Sequence, residues 1–294
     1  MPTLVVGTRG SALALAQTNW VCDRLSLAHP GVSIQIETIL TQGDRSQAAE
    51  TPLGSYGRKG VFATELEAAL LSGDIDAAVH SMKDLASDLP EGLCIGAVPV
   101  REDARDVVVG ARLADLSAGA RVGTGSVRRR ALLAEAWPHL AADEIRGNVD
   151  TRIRKLREGR YDAIILAAAG ISRLGRSAEI DEYLDAATFV PDPGQGALAI
   201  ECRASDSGVR AWLSAIADPV ATATARAERA FLQALGGGCQ TPLGAWARVD
   251  GETLILLAMV ADNDGCVRRI EQSAAISDAE AIGRSAARAL GGLE

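Results

Sequence analysis

The sequence is poor in aromatic residues, which make up only 3% of its 294 positions. Extended stacking of nucleic-acid bases on aromatic side chains is therefore not expected. An excess of basic residues is also lacking, because 38 acidic side chains outnumber 30 basic ones and give a formal net charge of -8. Proteins that bind nucleic acid are more often basic overall, so the composition argues against that class of partner.

Paired cysteines, metal-ligand spacings and long apolar runs are lacking as well. The five cysteines are scattered without a C-x-x-C pair, and the three histidines have no metal-ligand spacing. We therefore predict neither a disulfide framework nor a metal site. No apolar run reaches bilayer length, and the first residues lack the pattern of a signal peptide. These absences predict a cytoplasmic protein with reduced thiols and no membrane contact.

The pattern of apolar runs predicts an α/β fold with two lobes and a small C-terminal α+β domain. The chain opens with a strand at 4–7, a helix at 12–27 capped by Ser11, and a strand at 34–39. The same order returns in the middle of the chain, with strands at 121–123, at Ile145 and at 163–166. Two such lobes joined by two crossings enclose a cleft.

The predicted division of the chain has three parts. The first lobe comprises residues 1–98 and 197–216, the second lobe residues 99–196, and the third domain residues 217–294. In the third domain a helix, three strands and a second helix follow one another, and Ser277 with Glu280 forms a predicted capping box. Residues 41–60 are polar and contain glycine, which predicts a long loop.

Basic and hydroxyl side chains recur near the carboxyl ends of the predicted strands, where open α/β sheets bind ligands. A helix that begins at Ser126 adds backbone N–H groups, which favour anions. The set comprises Arg9, Ser11, Ser126, Arg128, Arg129, Arg146, Arg152 and Arg173. In an acidic chain, this cluster predicts a cleft for a ligand with several carboxylates or phosphates.

Two further positions could carry chemistry. Lys83 and Asp84 directly follow a predicted strand, so Asp84 could act as a general acid or stabilise a cation, although a surface ion pair is an alternative interpretation. Cys239 follows a run of glycines at 236–238. It could be a nucleophile or a covalent attachment point, or the run could simply end a helix.

Seven segments of the chain, taken together, resemble one enzyme family. They are R-G-S-A-L-A at 9–14, G-R-K-G-V-F at 57–62, V-H-S-M-K-D at 79–84, G-T-G-S-V-R-R at 123–129, R-G-N-V at 146–149, G-Q-G-A at 194–197 and G-G-C-Q-T-P at 237–242. The family is porphobilinogen deaminase, or hydroxymethylbilane synthase, and the resemblance extends over residues 4–260.

The resemblance implies a fold and a reaction. Two domains of the family are similar to the lobes of periplasmic binding proteins, and a third, small domain carries a cysteine. Members are transferases of tetrapyrrole and heme biosynthesis. They join four porphobilinogen molecules head to tail, release ammonia, and free hydroxymethylbilane by hydrolysis. Their cofactor is a dipyrromethane primer, bound through a thioether at the position of Cys239, and a monomer is expected.

The resemblance also implies roles for individual residues. Asp84 is implied as the catalytic carboxylate, which assists the leaving amine and stabilises an azafulvene cation. The implied cofactor-binding residues are Cys239, Lys83, Ser126, Arg128, Arg129, Arg146 and Gly147. The implied substrate-binding residues are Arg9, Ser11, Lys59, Arg152, Arg173 and Gln195. The chain departs from the family pattern at Ser55, Arg58, Thr64, Gly125 and Gly236.

Two other functions are weighed against this one. A non-catalytic, two-lobe protein that binds a polycarboxylate would use the same arginines, but it has no need of a thiol in an added domain. A cysteine-dependent hydrolase would need a base for Cys239, for which His80 is the candidate in the sequence.

Overall fold

The computed structural model describes residues 1–41, 63–236, 242–262 and 264–291. It has two α/β lobes and a small C-terminal domain that combines three strands with two helices. The predicted fold class is therefore confirmed. The loop predicted at 41–60 lies outside the described residues, apart from Thr41.

The first lobe contains the start of the chain and a segment that returns to it later. Its first part comprises β1 (Thr3–Thr8), α1 (Ala12–Ala28), β2 (Ser33–Thr38), α2 (Thr64–Ser72), β3 (Ala77–Ser81) and β4 (Leu93–Ala97). As predicted, Ser11 caps α1, because its hydroxyl accepts a hydrogen bond of 3.3 Å from the backbone N–H of Ala14.

The second lobe follows a crossing at 98–105. It comprises β5 (Asp106–Val109), β6 (Arg121–Gly123), α3 (Val127–Ala136), β7 (Ala141–Asp143), α4 (Val149–Arg157), β8 (Ala163–Ala167), α5 (Ala168–Arg173) and β9 (Glu182–Tyr183). A second crossing leads back to the first lobe through β10 (Leu198–Arg203) and α6 (Ser207–Ser214).

The sheets of the two lobes have the same strand order. It is β2-β1-β3-β10-β4 in the first lobe and β7-β6-β8-β5-β9 in the second. Four strands of each sheet run in one direction, and three of them are adjacent. The strand that follows each crossing, β10 or β5, runs antiparallel between the third and the fourth of these. The loops after the parallel strands therefore lie at one edge of each sheet, where α/β folds bind ligands.

The third domain comprises α7 (Pro219–Ala234), β11 (Leu243–Asp250), β12 (Thr253–Ala261), β13 (Val267–Ala275) and α8 (Ala279–Leu290). The three strands form an antiparallel sheet, and both helices pack on it around Phe231 and Leu256. The helices approach closely at Gly283, where a Cβ atom would lie 2.2 Å from the carbonyl oxygen of Ala227. Only glycine allows this spacing.

Two local predictions were wrong. The second strand of the second lobe lies at Ala141–Asp143 and not at Ile145, whose side chain is buried just beyond the strand. The capping box of Ser277 and Glu280 does not form, because α8 begins after a 3-10 turn at Ile276–Asp278. Glu280 instead accepts a hydrogen bond of 3.2 Å from Arg284, one turn further along the helix.

Candidate active site

The turns after β1 and β3 bring three predicted site residues to one pocket. Asp84 ends a 3-10 turn that follows β3 directly. Its pocket is also lined by Arg9 and Ser11 from the turn after β1. The adjacency follows from the topology, because β1 and β3 are parallel neighbours and their carboxyl ends meet at one edge. Gln17 and Ser81 line the same pocket and are joined by a hydrogen bond of 2.8 Å.

In the second lobe, Arg128 and Arg129 are held by one buried carboxylate, that of Asp106 at the start of β5. Arg128 donates to one of its oxygens at 2.7 Å, and Arg129 donates to the other at 2.7 and 3.1 Å. Burial alone would raise the pKa of Asp106. The charges and hydrogen bonds of the two arginines outweigh burial and hold that pKa well below its usual value.

The guanidinium of Arg128 can bind a further anion. Its Nη1 atom donates to Asp106 and to the carbonyl oxygen of Val190, both at 2.7 Å. Its Nε and Nη2 atoms are buried and make no hydrogen bond to any described residue, and Asp192 lies 3.9 Å from Nε. A buried guanidinium with unused donors suits a carboxylate ligand, which can accept two parallel hydrogen bonds.

Lys83 connects the first lobe to the second crossing. Its Nζ atom donates to the side-chain oxygen of Gln195 at 3.2 Å. Burial lowers the pKa of Lys83 and the charge of Arg129 lowers it further, while nearby carboxylates, that of Asp84 first, oppose the change. Through Gln195, Lys83 is connected to Asp106, the carboxylate that also binds the predicted cofactor-binding group Arg129.

Gln195 is fully buried and its amide is used within the protein. The Nε2 atom donates to Ala104 at 2.7 Å and to Asp106 at 2.8 Å, while Oε1 accepts from Lys83. In this arrangement Gln195 positions Lys83 and Asp106. Its contact with substrate stays a prediction.

Arg152 of α4 is largely buried, and the turn before that helix holds its guanidinium. It donates to the carbonyl oxygen of Gly147 at 2.7 Å. Burial lowers the pKa of Arg152 to about 10, with a further contribution from Arg129, while the charge of Asp84 opposes the shift. Gly147 has a φ of 111°, and a Cβ atom there would lie 2.6 Å from Thr151. The turn that supports Arg152 therefore requires glycine.

The remaining predicted residues are placed differently. Arg173 donates to the carbonyl oxygen of Gly196 at 2.8 Å, and burial lowers its pKa to about 10 against the charge of Glu102. Arg146 forms an ion pair of 2.6 Å with exposed Glu144. Ser126 caps α3 through the backbone N–H of Arg129 at 3.4 Å. Lys59 and Cys239 lie outside the described residues.

Sequence reasoning missed two buried carboxylates that organise this region, Asp106 and Glu228. The run Val107–Val109 is typical of a buried strand, and a buried arginine needs a counter-charge, so Asp106 could have been found. Glu228 in α7 accepts a pair of hydrogen bonds from Arg101 and one from the backbone N–H of Gly194 at 2.7 Å. Nothing local in the sequence indicates these distant partners.

Two absences concern the described ranges only. Within them, no group of three or more His, Cys, Asp and Glu side chains could hold a metal ion. Among the helices of the same ranges, none is long and apolar enough to cross a membrane.

Comparison with known proteins identifies the family. Residues 4–211 match the family model described as "Porphobilinogen deaminase, dipyromethane cofactor binding domain", and residues 222–291 match the porphobilinogen deaminase C-terminal domain. The porphobilinogen deaminase of Roseiflexus sp. (strain RS-1) is 47% identical over 96% of this chain and 93% of its own length. That of Geobacillus kaustophilus (strain HTA426) is 48% identical over 99% and 94%. Among solved structures, the methionine-binding protein MetQ overlaps with a TM-score of 0.47 at 13% identity, over 73% of this chain and 89% of MetQ. From the two family models and these relatives, the chain belongs to the porphobilinogen deaminase family.

Proposed function

We propose that this protein is a hydroxymethylbilane synthase, a transferase of tetrapyrrole biosynthesis that joins four porphobilinogen molecules head to tail with loss of ammonia. The observation that carries the proposal is the place of Asp84 in one pocket with Arg9 and Ser11, next to Lys83 in the chain. Lys83 is connected through Gln195 to Asp106, the carboxylate that holds Arg128 and Arg129 of the second lobe. Porphobilinogen carries two carboxylates and an aminomethyl group, so it needs cations to bind it and a carboxylate where ammonia leaves.

The residues present fit a dipyrromethane cofactor. The unused buried N–H groups of Arg128 can donate hydrogen bonds to a carboxylate, and Lys83 offers a further, largely buried cation. We propose that Lys83, Ser126, Arg128, Arg129, Arg146 and Gly147 hold the group, which is attached to Cys239. When bound, the cofactor supplies the free pyrrole carbon on which the product is built.

Asp84 is the proposed catalytic residue. In its protonated form the side chain of Asp84 can give a proton to the departing amine, and the carboxylate that this leaves can stabilise the azafulvene cation. The negative charge of Asp84 then balances the positive charge that forms on the substrate. The reaction needs no protein nucleophile during chain growth, because the attacking atom is a pyrrole carbon.

The proposed substrate-binding residues are Arg9, Ser11, Lys59, Arg152, Arg173 and Gln195. Arg152 and Arg173 are cations whose pKa burial has lowered to about 10. Each pays a desolvation penalty that an incoming carboxylate relieves, because the pair is then mutually neutralised. This supports a role for both arginines in binding the acetate and propionate groups of the growing chain.

The division into domains is proposed as 1–98 with 197–216, 99–196, and 217–294. It is supported by sheet membership, because both crossings fall between strands of different sheets and α7 follows directly after Asp218. We further propose that the protein is a cytoplasmic monomer, as the family resemblance implies. We also propose that it has no nucleic-acid partner, which its acidic composition supports.

The decisive experiment is the intact mass of the purified protein under denaturing conditions, followed by peptide mapping. We expect an excess of two linked pyrrole units on the peptide that contains Cys239, and release of ammonia when porphobilinogen is added. Cys239→Ser should lack the adduct. Protein that binds porphobilinogen without releasing ammonia, after incubation long enough to load the adduct, would instead be a two-lobe binding protein.

A further inference from the structure

Two thiols lie against each other in the sheet of the first lobe, away from the proposed active site. Cys94 in β4 and Cys202 in β10 are directly opposite residues of an antiparallel strand pair. Their sulfur atoms are 3.8 Å apart, and both cysteines are free thiols. The proposed reaction uses neither of them.

The backbone geometry suits a bond between the two sulfurs. Directly opposite residues of antiparallel strands have Cα atoms about 4.5 or 5.5 Å apart, and both separations fall within the range that disulfides span. Space for the sulfur of Cys202 comes from Gly96, where a Cβ atom would lie only 2.8 Å from it. Closing the bond therefore needs side-chain rotation and no change of strand register.

The two thiols differ in accessibility. Cys94 is partly exposed on the edge strand β4, whereas Cys202 is fully buried in the neighbouring strand β10. Burial, and then the neighbouring Cys94, raises the pKa of the Cys202 thiol to about 12. An oxidant therefore reacts with Cys94 first, and the thiol of Cys202 then forms the disulfide with it.

We propose that Cys94 and Cys202 form a reversible disulfide, a redox modification site, when the protein meets hydrogen peroxide. The thiolate of Cys94 attacks one peroxide oxygen, which breaks the O–O bond and gives a sulfenic acid and hydroxide. The sulfur of Cys202 then attacks the sulfenic sulfur, the S–O bond breaks, and water leaves. Two thiols and one peroxide thus give one disulfide and two waters, and a dithiol restores both thiols.

The bond would link β4, which precedes the first crossing, to β10, which follows the second crossing. Cys94 and Cys202 are 108 positions apart, and the chain between them contains the whole second lobe. A cross-link that closes so long a loop restricts the unfolded chain strongly. The oxidised protein should therefore unfold at a higher denaturant concentration than the reduced one.

The test treats the full-length protein with hydrogen peroxide, blocks remaining thiols with an alkylating agent, and maps peptides without reduction. We expect a linked peptide pair that contains Cys94 and Cys202, lost on treatment with dithiothreitol. Cys94→Ser should abolish the linked pair. Cys22→Ser is the matched control, because Cys22 belongs to the same core cluster and the pair should still form.

Exposed Cys266 reports that the oxidant has acted. The proposal is overturned if Cys266 is oxidised while Cys94 and Cys202 are both recovered alkylated, or if Cys202 pairs equally well in Cys94→Ser. As a second readout, the guanidinium midpoint of the oxidised protein should rise and return to the reduced value with dithiothreitol. Cys94→Ser should show no such shift, and an equal shift in that variant contradicts the proposal.

Discussion

Glu228 of α7 accepts two parallel hydrogen bonds from the guanidinium of Arg101, at 2.7 and 3.0 Å. The same carboxylate accepts backbone N–H groups of Gly194 and Ala247, each at 2.7 Å. One fully buried side chain of the third domain therefore holds both crossings between the lobes and the strand β11. This carboxylate therefore connects the third domain to both crossings.

Glu228→Gln should destabilise the protein by about 3 kcal/mol, because it leaves the charge of Arg101 buried without a counter-ion. Equilibrium unfolding in guanidinium measures the change. Glu271→Gln is the matched control, since Glu271 pairs with Arg248 at 3.2 Å on the exposed face of the sheet. We expect little change in the free energy of unfolding of Glu271→Gln. Equal losses in the two variants would contradict the assigned role of Glu228.

Asp106→Asn should lower the free energy of unfolding by about 3–5 kcal/mol, because the carboxylate that two buried arginines share is then lost. The effect should depend on pH. The pKa of Asp106 is lower in the folded than in the unfolded chain, so its stabilisation is fully present above the ordinary pKa of about 3.9 and is lost as the pH falls below that value.

This dependence is tested by measuring the free energy of unfolding at a series of pH values, from pH 6 down to the pH at which the protein unfolds. The loss of stability below about pH 4 should be smaller in Asp106→Asn than in the unmodified protein. Asp115→Asn, a change at an exposed carboxylate of the same lobe, should keep the unmodified profile. A profile in Asp106→Asn that is parallel to the unmodified one argues against a depressed pKa at Asp106.

Gly147→Ala should destabilise the second lobe by about 2 kcal/mol, because the added Cβ needs a positive φ and also meets Thr151 at 2.6 Å. Gly159→Ala separates the two causes. Gly159 has a φ of 72° with no atom within 4 Å of an added Cβ, so only the backbone penalty applies. The melting temperature of Gly147→Ala should be clearly lower than that of Gly159→Ala. The opposite order would show that the contact with Thr151 does not destabilise the protein.

Asp84→Asn should lower turnover of porphobilinogen by about 10²–10⁴-fold, the usual contribution of a positioned acid or base. The variant should fold normally, and its intact mass should still include the adduct. Asp74→Asn, at an exposed carboxylate of the same lobe, should retain activity. Near-normal release of ammonia by Asp84→Asn would exclude Asp84 as the catalytic carboxylate.

Arg152→Gln should reduce kcat/KM for porphobilinogen by about 10–100-fold, the value of a charge-assisted hydrogen bond to a carboxylate. Arg154→Gln on the same helix is the control, because Arg154 is mostly exposed and pairs only with Glu158 in the contacts described. Its kcat/KM should change by less than about 2-fold. Similar losses in both variants would mean that the helix, and not the guanidinium of Arg152, supports activity.

Local sequence patterns predicted most of the architecture. Ser11 and Ser126 were expected at helix starts and cap α1 and α3, because capping depends only on neighbours in the chain. The third domain has the predicted order of a helix, three strands and a second helix, because each of these elements follows its own local pattern. Ser277 and Glu280 match the motif of a capping box, but a 3-10 turn replaces the helix start there, since packing against the sheet overrides a weak local preference.

Residue order alone identifies the family, because seven short motifs are specific as a set, and it also gives the kinds of groups that the site offers. Which of these groups meet depends on how the chain folds. Asp106 contacts Arg128 and Arg129 because β5 returns antiparallel beside β8, and Glu228 reaches Arg101 across 127 positions. The hydrogen bonds and charge interactions that define these sites depend on distance in space, which the order of residues along the chain does not contain.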